Sequence, residues 1–303
     1  MNRRRVIVNA DDFGLSRGIS DAILTAYRCG ILTSASIMAN QAASEYAIEL
    51  LRQMPGLGVG VHLNLTAGRP VLPVRDVPSL VDANGDFYSL AVVARRLWTF
   101  GARSAEIEAE FRAQIRWLKV HGVVPTHADS HQHVHLYPAA LTAFVRAVRA
   151  EGIHCVRAPR CSVWPAKGPA GGPHEGPLAR RLAVQAYRGI VQFTALRGFA
   201  MPHSRISFRA ADRRDLSGIV RCWRTAFDNL PAADFELTCH PGLFSAGFSQ
   251  SDRIAAQREE ELTALTNTEI RKAAQRNRIQ LIRYTDLHAE KPQQERAAEV
   301  TTA

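Results

Sequence analysis

The feature that most constrains this chain is an alternation. Short apolar runs suited to strands trade places with stretches whose apolar residues recur at helical spacing, from Val6 almost to Tyr284. Val6–Asn9, "TSASIMA", "GLGVGVHLNL", "HCVRAP", "FELTCH" and "IQLIRY" read as strands. Ser16 to Cys29 reads as a helix with Ser16 as N-cap and Gly30 as its stop. "ASEYAIELLRQM", "SAEIEAEFRAQIRWLKVHG" and Ala139 to Glu151 read as further helices. Repeated strand–helix units imply a parallel sheet, either open and doubly wound or closed as a barrel. The glycine-rich dinucleotide fingerprint and the phosphate-binding P-loop are both missing, which removes the usual reasons for an open nucleotide-binding sheet. In either architecture a ligand sits at the carboxyl ends of the strands.

Two segments break this rhythm. "VDANGDFYS" predicts a tight hairpin centred on Asn84–Gly85. Cys161 to Pro177, rich in proline and glycine, predicts a long loop of the kind that carries function. At 303 residues the chain can fill one large α/β barrel or two ordinary domains. The expectation is one catalytic domain over residues 1–290 and a polar tail over 291–303. The basic start "MNRRR" precedes an apolar run too short for a signal peptide, and no stretch is long and uncharged enough to span a bilayer, so the expected address is the cytoplasm. Five scattered cysteines without a CxxC pair predict free, buried or half-buried thiols rather than a disulfide framework or a cysteine zinc site. A net charge of +10 raises nucleic acid or an anionic surface as partners. The arginines are spread through helices rather than massed with aromatics, so a generally basic surface is the better reading and no nucleic-acid partner is expected.

The chemistry collects where polar residues interrupt the strand ends. "NADDFG" sets Asp11 and Asp12 side by side after an apolar run, and His62 is a lone imidazole in "GVGVHLNL". "THADSHQHVHLYP" carries Asp129, His131, His133 and His135 at alternate positions, which an extended strand would project from one face. His240 closes "FELTCH" ahead of Pro241–Gly242. Each has an ordinary explanation: an N-capped turn, a satisfied core histidine, a polar edge strand, a punctuated turn. Parallel strands would nevertheless bring all of them to one rim. One carboxylate and two imidazoles form an open metal site with room for water and substrate. A second carboxylate can take the water's proton while a histidine opposite protonates a leaving amine. Adjacent aspartates point to opposite sides of an extended segment, so both reach one site only through a turn, for which Phe13–Gly14 is suited. The fit is to a mononuclear hydrolase.

"VIVNADDFGLSRGISDAI", "GVGVHLNLTAGRPVLP", "THADSHQHVHLYP" and "CHPG", in that order from Val6 to about Asp286, resemble the YdjC-like carbohydrate deacetylases. That family includes chitooligosaccharide and hopanoid-associated deacetylases. The resemblance implies a (β/α) barrel variant related to polysaccharide deacetylases, with the active site at the C-terminal ends of parallel strands. It also implies removal of an N-acetyl group from an N-acetylglucosamine-type sugar, free or lipid-linked, with one divalent metal ion. Matched position by position, Asp12, His62 and His131 fall on the metal ligands and Asp11 on the general base. His240 falls on the late strand-end histidine that acts as acid, by analogy with the wider deacetylase group. Asp129, His133 and His135 then become supporting or substrate-facing residues, Asp129 orienting an imidazole. The ligand types suit zinc, while the family resemblance brings in magnesium. The rival readings are a metal-dependent phosphoesterase or other amidohydrolase on the same ligands, and a basic nucleic-acid-binding protein.

Overall fold

The computed structural model describes residues 3–164, 178–208, 215–243 and 255–287. In chain order, β1 (Arg4–Phe13), α1 (Arg17–Cys29), β2 (Ser34–Ile37), α2 (Ser44–Leu51) and β3 (Gly58–Leu63) come first. They are followed by α3 (Leu90–Trp98), α4 (Ser104–Val120), β4 (Ala128–Ser130), α5 (Pro138–Ala150), β5 (Cys161–Trp164) and α6 (Leu178–Phe193). Then come β6 (Ser204–Phe208), α7 (Leu216–Asn229), β7 (Asp234–Cys239), α8 (Ala255–Thr266), α9 (Thr268–Arg276) and β8 (Ile279–Ile282). The sheet runs β4-β3-β2-β1-β7-β6-β5, with β8 added against the first half of β1. Every ladder between these strands is parallel. The segment leading into β5 pairs back onto β4 through a bridge between Ala128 and Val156, which curls the sheet toward a barrel. This parallel sheet curled toward a barrel is one of the two architectures the alternation allows, and the one the family resemblance implies.

Local chemistry accounts for the elements. Ser16 caps α1, its Oγ accepting from the Ile19 amide at 3.2 Å. Ile19, Ala22, Ile23 and Ala26 form the buried stripe of that helix, each isoleucine contributing about 1.5–3 kcal/mol of burial. The predicted hairpin is present: Asp82 donates to the Asp86 carbonyl and Gly85 takes φ +82, where a side chain would be strained.

The register sorts side chains onto two faces. Register partners in a parallel sheet share a face. Val6, Val8, Ala10, Ala35, Ile37, Val61, Leu63, Phe235 and Leu237 point outward and join the helices in one large apolar core. The inward file begins with a small apolar plug of Ile7, Cys155, Ile282 and Tyr284. Beside it, at Glu236, and above it the barrel interior turns polar: Asn9, Ser36, His62 and Asp129 occupy the further inward positions. Gly60 belongs to this file because a Cβ there would stand 2.5 Å from ring atoms of His127. The strand leaves its side chain out so that an imidazole can fit.

Several expectations need correction. Asp129 lies in β4, but the strand stops at Ser130, and His131–Leu136 is a tight 3-10 segment with Gln132 and His133 at positive φ. The four alternating residues therefore do not share one strand face. "HCVRAP" forms single bridges rather than a strand, and the first four residues of the predicted loop, Cys161–Trp164, are β5. The rest of that loop and the 291–303 tail lie outside the described residues. The cysteines are free as expected, though Cys29 is exposed. Among the described residues no helix is long and apolar enough to cross a membrane.

Candidate active site

The site begins with a bulge in β1. The register with β2 slips between Ala10 and Phe13, and Asp12 takes φ +64, a left-handed conformation uncommon outside glycine. This twist, rather than a turn at Phe13–Gly14 alone, lets consecutive aspartates enter one cluster. Leu15 N closes the following turn on Asp12 O at 3.0 Å.

Asp12, His62 and His131 converge. Asp12 Oδ1 lies 2.8 Å from His131 Nδ1 and 3.3 Å from His62 Nε2, and the three potential ligand atoms fall within 4.8 Å of one another. A second group, Asp11, His62 and Asp129, meets the same spacing. Its carboxylates are already committed to an arginine, so the group around Asp12 is the better cation site. His131 opens that group to the surface with 16% of its side chain exposed. Asp12's other oxygen accepts from Arg258 Nη2 at 2.6 Å, so Oδ1, which faces the two imidazoles, is the oxygen placed as a ligand atom.

Behind this group lies an arginine that the strand reading overlooks. Arg157, 1% exposed, donates through both Nη nitrogens to Asp11, and its Nη2 also lies 2.7 Å from Asp129 Oδ2. Its Nε donates to Glu236 Oε1 at 2.8 Å, and Tyr284 OH donates to Glu236 Oε2 at 2.7 Å. Asn9 Nδ2 adds a bond to Asp11 Oδ1, and Asp129 accepts from Ser36 and pairs with His62 Nδ1 at 2.7 Å. His62 is thereby fixed with Nε2 turned to Asp12.

Four carboxylates (Asp11, Asp12, Asp129, Glu236) face two guanidiniums (Arg157, Arg258), so the cluster is two charges negative before any histidine is counted. Burial opposes the charge on Asp11, but Arg157 outweighs it and holds the carboxyl below its ordinary range. Asp12 is likewise held low against burial, chiefly by His131, with His62 and Arg258 adding to it. Burial opposes a proton on His62 too, yet Asp129 and Asp11 pull its pKa up to about 10. The field that draws a proton to His62 also favours a divalent cation, which needs that imidazole neutral.

His240 stands across from this group at the end of β7. Its Nε2 is 3.8 Å from Asp11 Oδ2, and its Nδ1 is 3.8 Å from Glu261 Oε2. Glu261 also accepts from the His240 amide at 2.6 Å. Arg258 and Glu261 lie one turn apart on α8, so a single helix face holds Asp12 on one side and His240 on the other. Gly242 makes this possible, since a Cβ there would meet the Arg258 side chain at 2.9 Å.

The remaining predicted residues separate. His133 Nε2 pairs with Arg205 Nη1 at 2.8 Å. His135 is buried, bonded to Ser130 and stacked on Phe144 at 4.7 Å. Among the described residues no hydrogen bond or ion pair joins His135 to Asp11, Asp12 or His62. Arg157, Glu236, Arg258 and Glu261 went unread in the sequence. Arg157 and Glu236 had a signal, a charge between apolar neighbours (Val156 and Ala158, Phe235 and Leu237), the same mark that singles out His62.

Comparison with known proteins places the chain among carbohydrate deacetylases. A carbohydrate deacetylase of Brevibacillus brevis is 31% identical over 292 residues, 93% of this chain and 99% of that protein. One from Clostridium beijerinckii is 29% identical over 93% of this chain and its own whole length. The carbohydrate deacetylase of Geobacillus stearothermophilus is 48% identical over 135 residues, and that match spans 45% of this chain and 52% of the relative. A solved Enterococcus faecalis V583 protein, named for a proposed cellobiose-phosphate cleavage, shares the fold with a TM-score of 0.74. It is 24% identical, over 94% of this chain and 99% of its own. The family described as YdjC-like protein matches residues 5–276, and with that span the chain belongs to the YdjC-like family.

Proposed function

We propose that this chain is a metal-dependent hydrolase that removes the N-acetyl group from an N-acetylglucosamine-type sugar. The observation that carries the reading is the placement of Asp11. An ionised carboxylate lies between the group of Asp12, His62 and His131 on one side and His240, at 3.8 Å, on the other. The deacetylase names of the relatives support the substrate class.

The donor set fits a divalent ion: one carboxylate oxygen and two imidazole nitrogens, within a cluster of net negative charge. Such an ion, held by Asp12, His62 and His131, supplies Lewis acidity toward the amide carbonyl and makes bound water more acidic. Oxygen-only ligation is the habit of magnesium, and two nitrogens favour zinc.

The protein's own groups then divide the proton traffic. Asp11 takes the proton of the attacking water as the oxygen adds to the acetyl carbon. Arg157 and Asn9 fix the orientation of that carboxylate, and Arg157 keeps it ionised against burial. His240 gives a proton to the sugar nitrogen as the carbon–nitrogen bond breaks, and Glu261 anchors its backbone. Acetate and the free amine are the products. Asp129 holds the His62 ring through Nδ1 so that Nε2 stays available.

The test is acetate release across N-acetylated amino sugars, with metal content measured by elemental analysis and phosphate release from a generic phosphoester run alongside. Acetate release that depends on the metal supports the reading. Phosphate release without acetate release would transfer the site to phosphoester chemistry.

A further inference from the structure

A helix on the surface of a domain turns its apolar stripe to the core and its polar face to water. Helix α6 departs from that rule. Its inner side carries the buried Val191 and two tethers: Gln185 Nε2 donates to Cys161 O at 3.1 Å, and Tyr187 OH to Leu136 O at 2.6 Å. Leu182, Ala186, Ile190 and Phe193, spaced i, i+4, i+8 and i+11, share another face, and all four are exposed. Leu182 is 61% exposed, Ile190 61% and Phe193 67%. Single exposed apolar residues are ordinary, but a helical stripe of them marks an interaction surface.

The patch continues onto α3. Trp98, the last residue of that helix and 56% exposed, has its ring 6.4 Å from that of Tyr187 and 6.1 Å from that of Tyr137. Phe100, two positions on, is 72% exposed. Both contributing segments are basic. From 176 to 211 there are six arginines and no aspartate or glutamate, and from 87 to 105 three arginines and again neither acid. This charge selects the occupant. A second copy paired about a twofold axis would lay the patch on itself and set arginine-rich segments against each other. An anionic lipid surface gives the apolar side chains a hydrocarbon boundary and the arginines a layer of phosphate headgroups. With 16 residues and three arginines, α6 suits lying on such a surface and is too short and charged to cross it.

We propose that the outer face of α6, with Trp98 and Phe100 beside it, docks this chain on the surface of an anionic bilayer. Leu182, Ile190 and Phe193 enter the boundary between headgroups and acyl chains, and the positive charge of the same segments attracts the lipid phosphates. The hydrogen bond from Tyr187 to Leu136 ties the docking helix to the turn that carries His131, so the docked face adjoins the rim of the site. The docking does not depend on the deacetylase reading.

The experiment sediments the whole chain with vesicles of phosphatidylcholine, with and without an equal part of phosphatidylglycerol, at low and raised salt. Binding should be tighter to the anionic vesicles and should survive in part when salt screens the charges. Ile190→Ser and Phe193→Ser each withdraw apolar area from the boundary and should lower the partition coefficient about tenfold. Val124→Ser, at an apolar residue 77% exposed in the loop before β4, should leave it unchanged. Phe193→Trp should add emission that the vesicles shift to the blue and brominated lipid quenches. Thermal melts confirm that the variants fold, and Ile190→Ser with Phe193→Trp carries the test if Phe193→Ser does not. Absence of binding overturns the proposal. So does binding that raised salt abolishes and both serine variants leave unchanged, which is attraction by net charge alone. Light scattering that shows a wild-type dimer, monomeric serine variants and no vesicle binding would assign the face to a second copy and equally overturn it.

Discussion

Arg157 grips Asp11 with a fork: Nη1 donates to Oδ2 at 2.7 Å and Nη2 to Oδ1 at 2.5 Å, both side chains sealed from solvent. The two residues are 146 positions apart in the chain. A bidentate pair of this kind fixes both the charge and the plane of the carboxylate. It gives the adjacent aspartates different characters, Asp11 bound to an arginine and Asp12 to two imidazoles and Arg258.

That difference yields the first prediction. Asp11→Asn keeps the shape and loses the basic oxygen, so it should retain metal while kcat falls by roughly 100-fold or more. Asp12→Asn should instead weaken metal affinity, with activity partly restored by excess metal. Kinetics and metal content of the two variants decide the matter. Turnover of Asp11→Asn near the wild-type rate would place the base elsewhere.

His131 supplies the outermost of the three converging ligand atoms. His131→Ala should lose the metal and keep its fold, because the side chain sits at the rim rather than in the apolar core. Elemental analysis beside a thermal melt reads both. Full occupancy in the variant would remove His131 from the site.

Arg157 also holds the barrel interior together. Removing it leaves Asp11, Asp129 and Glu236 buried without their common cation. Arg157→Met should cost about 3–5 kcal/mol of stability, a large share of what a domain has. Arg157→Lys keeps the charge without the fork and should lose less. Urea midpoints rank the three proteins, and an unchanged midpoint for Arg157→Met would refute the network's structural role.

Gly60 gives a steric test. A methyl group there meets the His127 ring at 2.5 Å, and that ring is stacked on Tyr284 at 3.8 Å. Gly60→Ala should destabilise the fold by about 1–3 kcal/mol, as overpacking does. His127→Ala in the same chain should relieve part of that penalty, and additive losses in the double variant would argue against the clash.

His127 makes stability depend on pH. Burial is the main cause that moves its pKa from an ordinary value near 6.5 down to about 3. Between those values the unfolded chain takes up a proton that the native imidazole refuses. The contribution of neutral His127 is complete above pH 6.5 and is lost as pH falls toward 3, by at most about 1.4 kcal/mol per pH unit. Replacing it with Gln removes that dependence. The stability gap between wild type and His127→Gln should therefore shrink from pH 7 to pH 4.5, and a constant gap would mean that His127 titrates normally.

Local rules in the sequence determined the strand–helix alternation, the Ser16 cap, the Asn84–Gly85 hairpin and the polar interruptions at Asp11, Asp12, His62 and His240. Periodicity, capping and turn chemistry act over a few residues, so they leave a local trace. The alternation rule failed at the histidine run because β4 ends at Ser130. The positive φ of Gln132 and His133 then turns His131 to Asp12 and His133 to Arg205. Only the tertiary structure decided which polar residues share an interior. Asp12 meets His131 across 119 positions and Arg258 across 246, distances over which no sequence pattern is imposed. Arg157 went unread for the same reason: an arginine in a basic chain looks like surface until three carboxylates from separate strands close around it. Strand register, which sets every inward position at once, brings those charges together, and their mutual compensation is what makes the buried cluster tolerable.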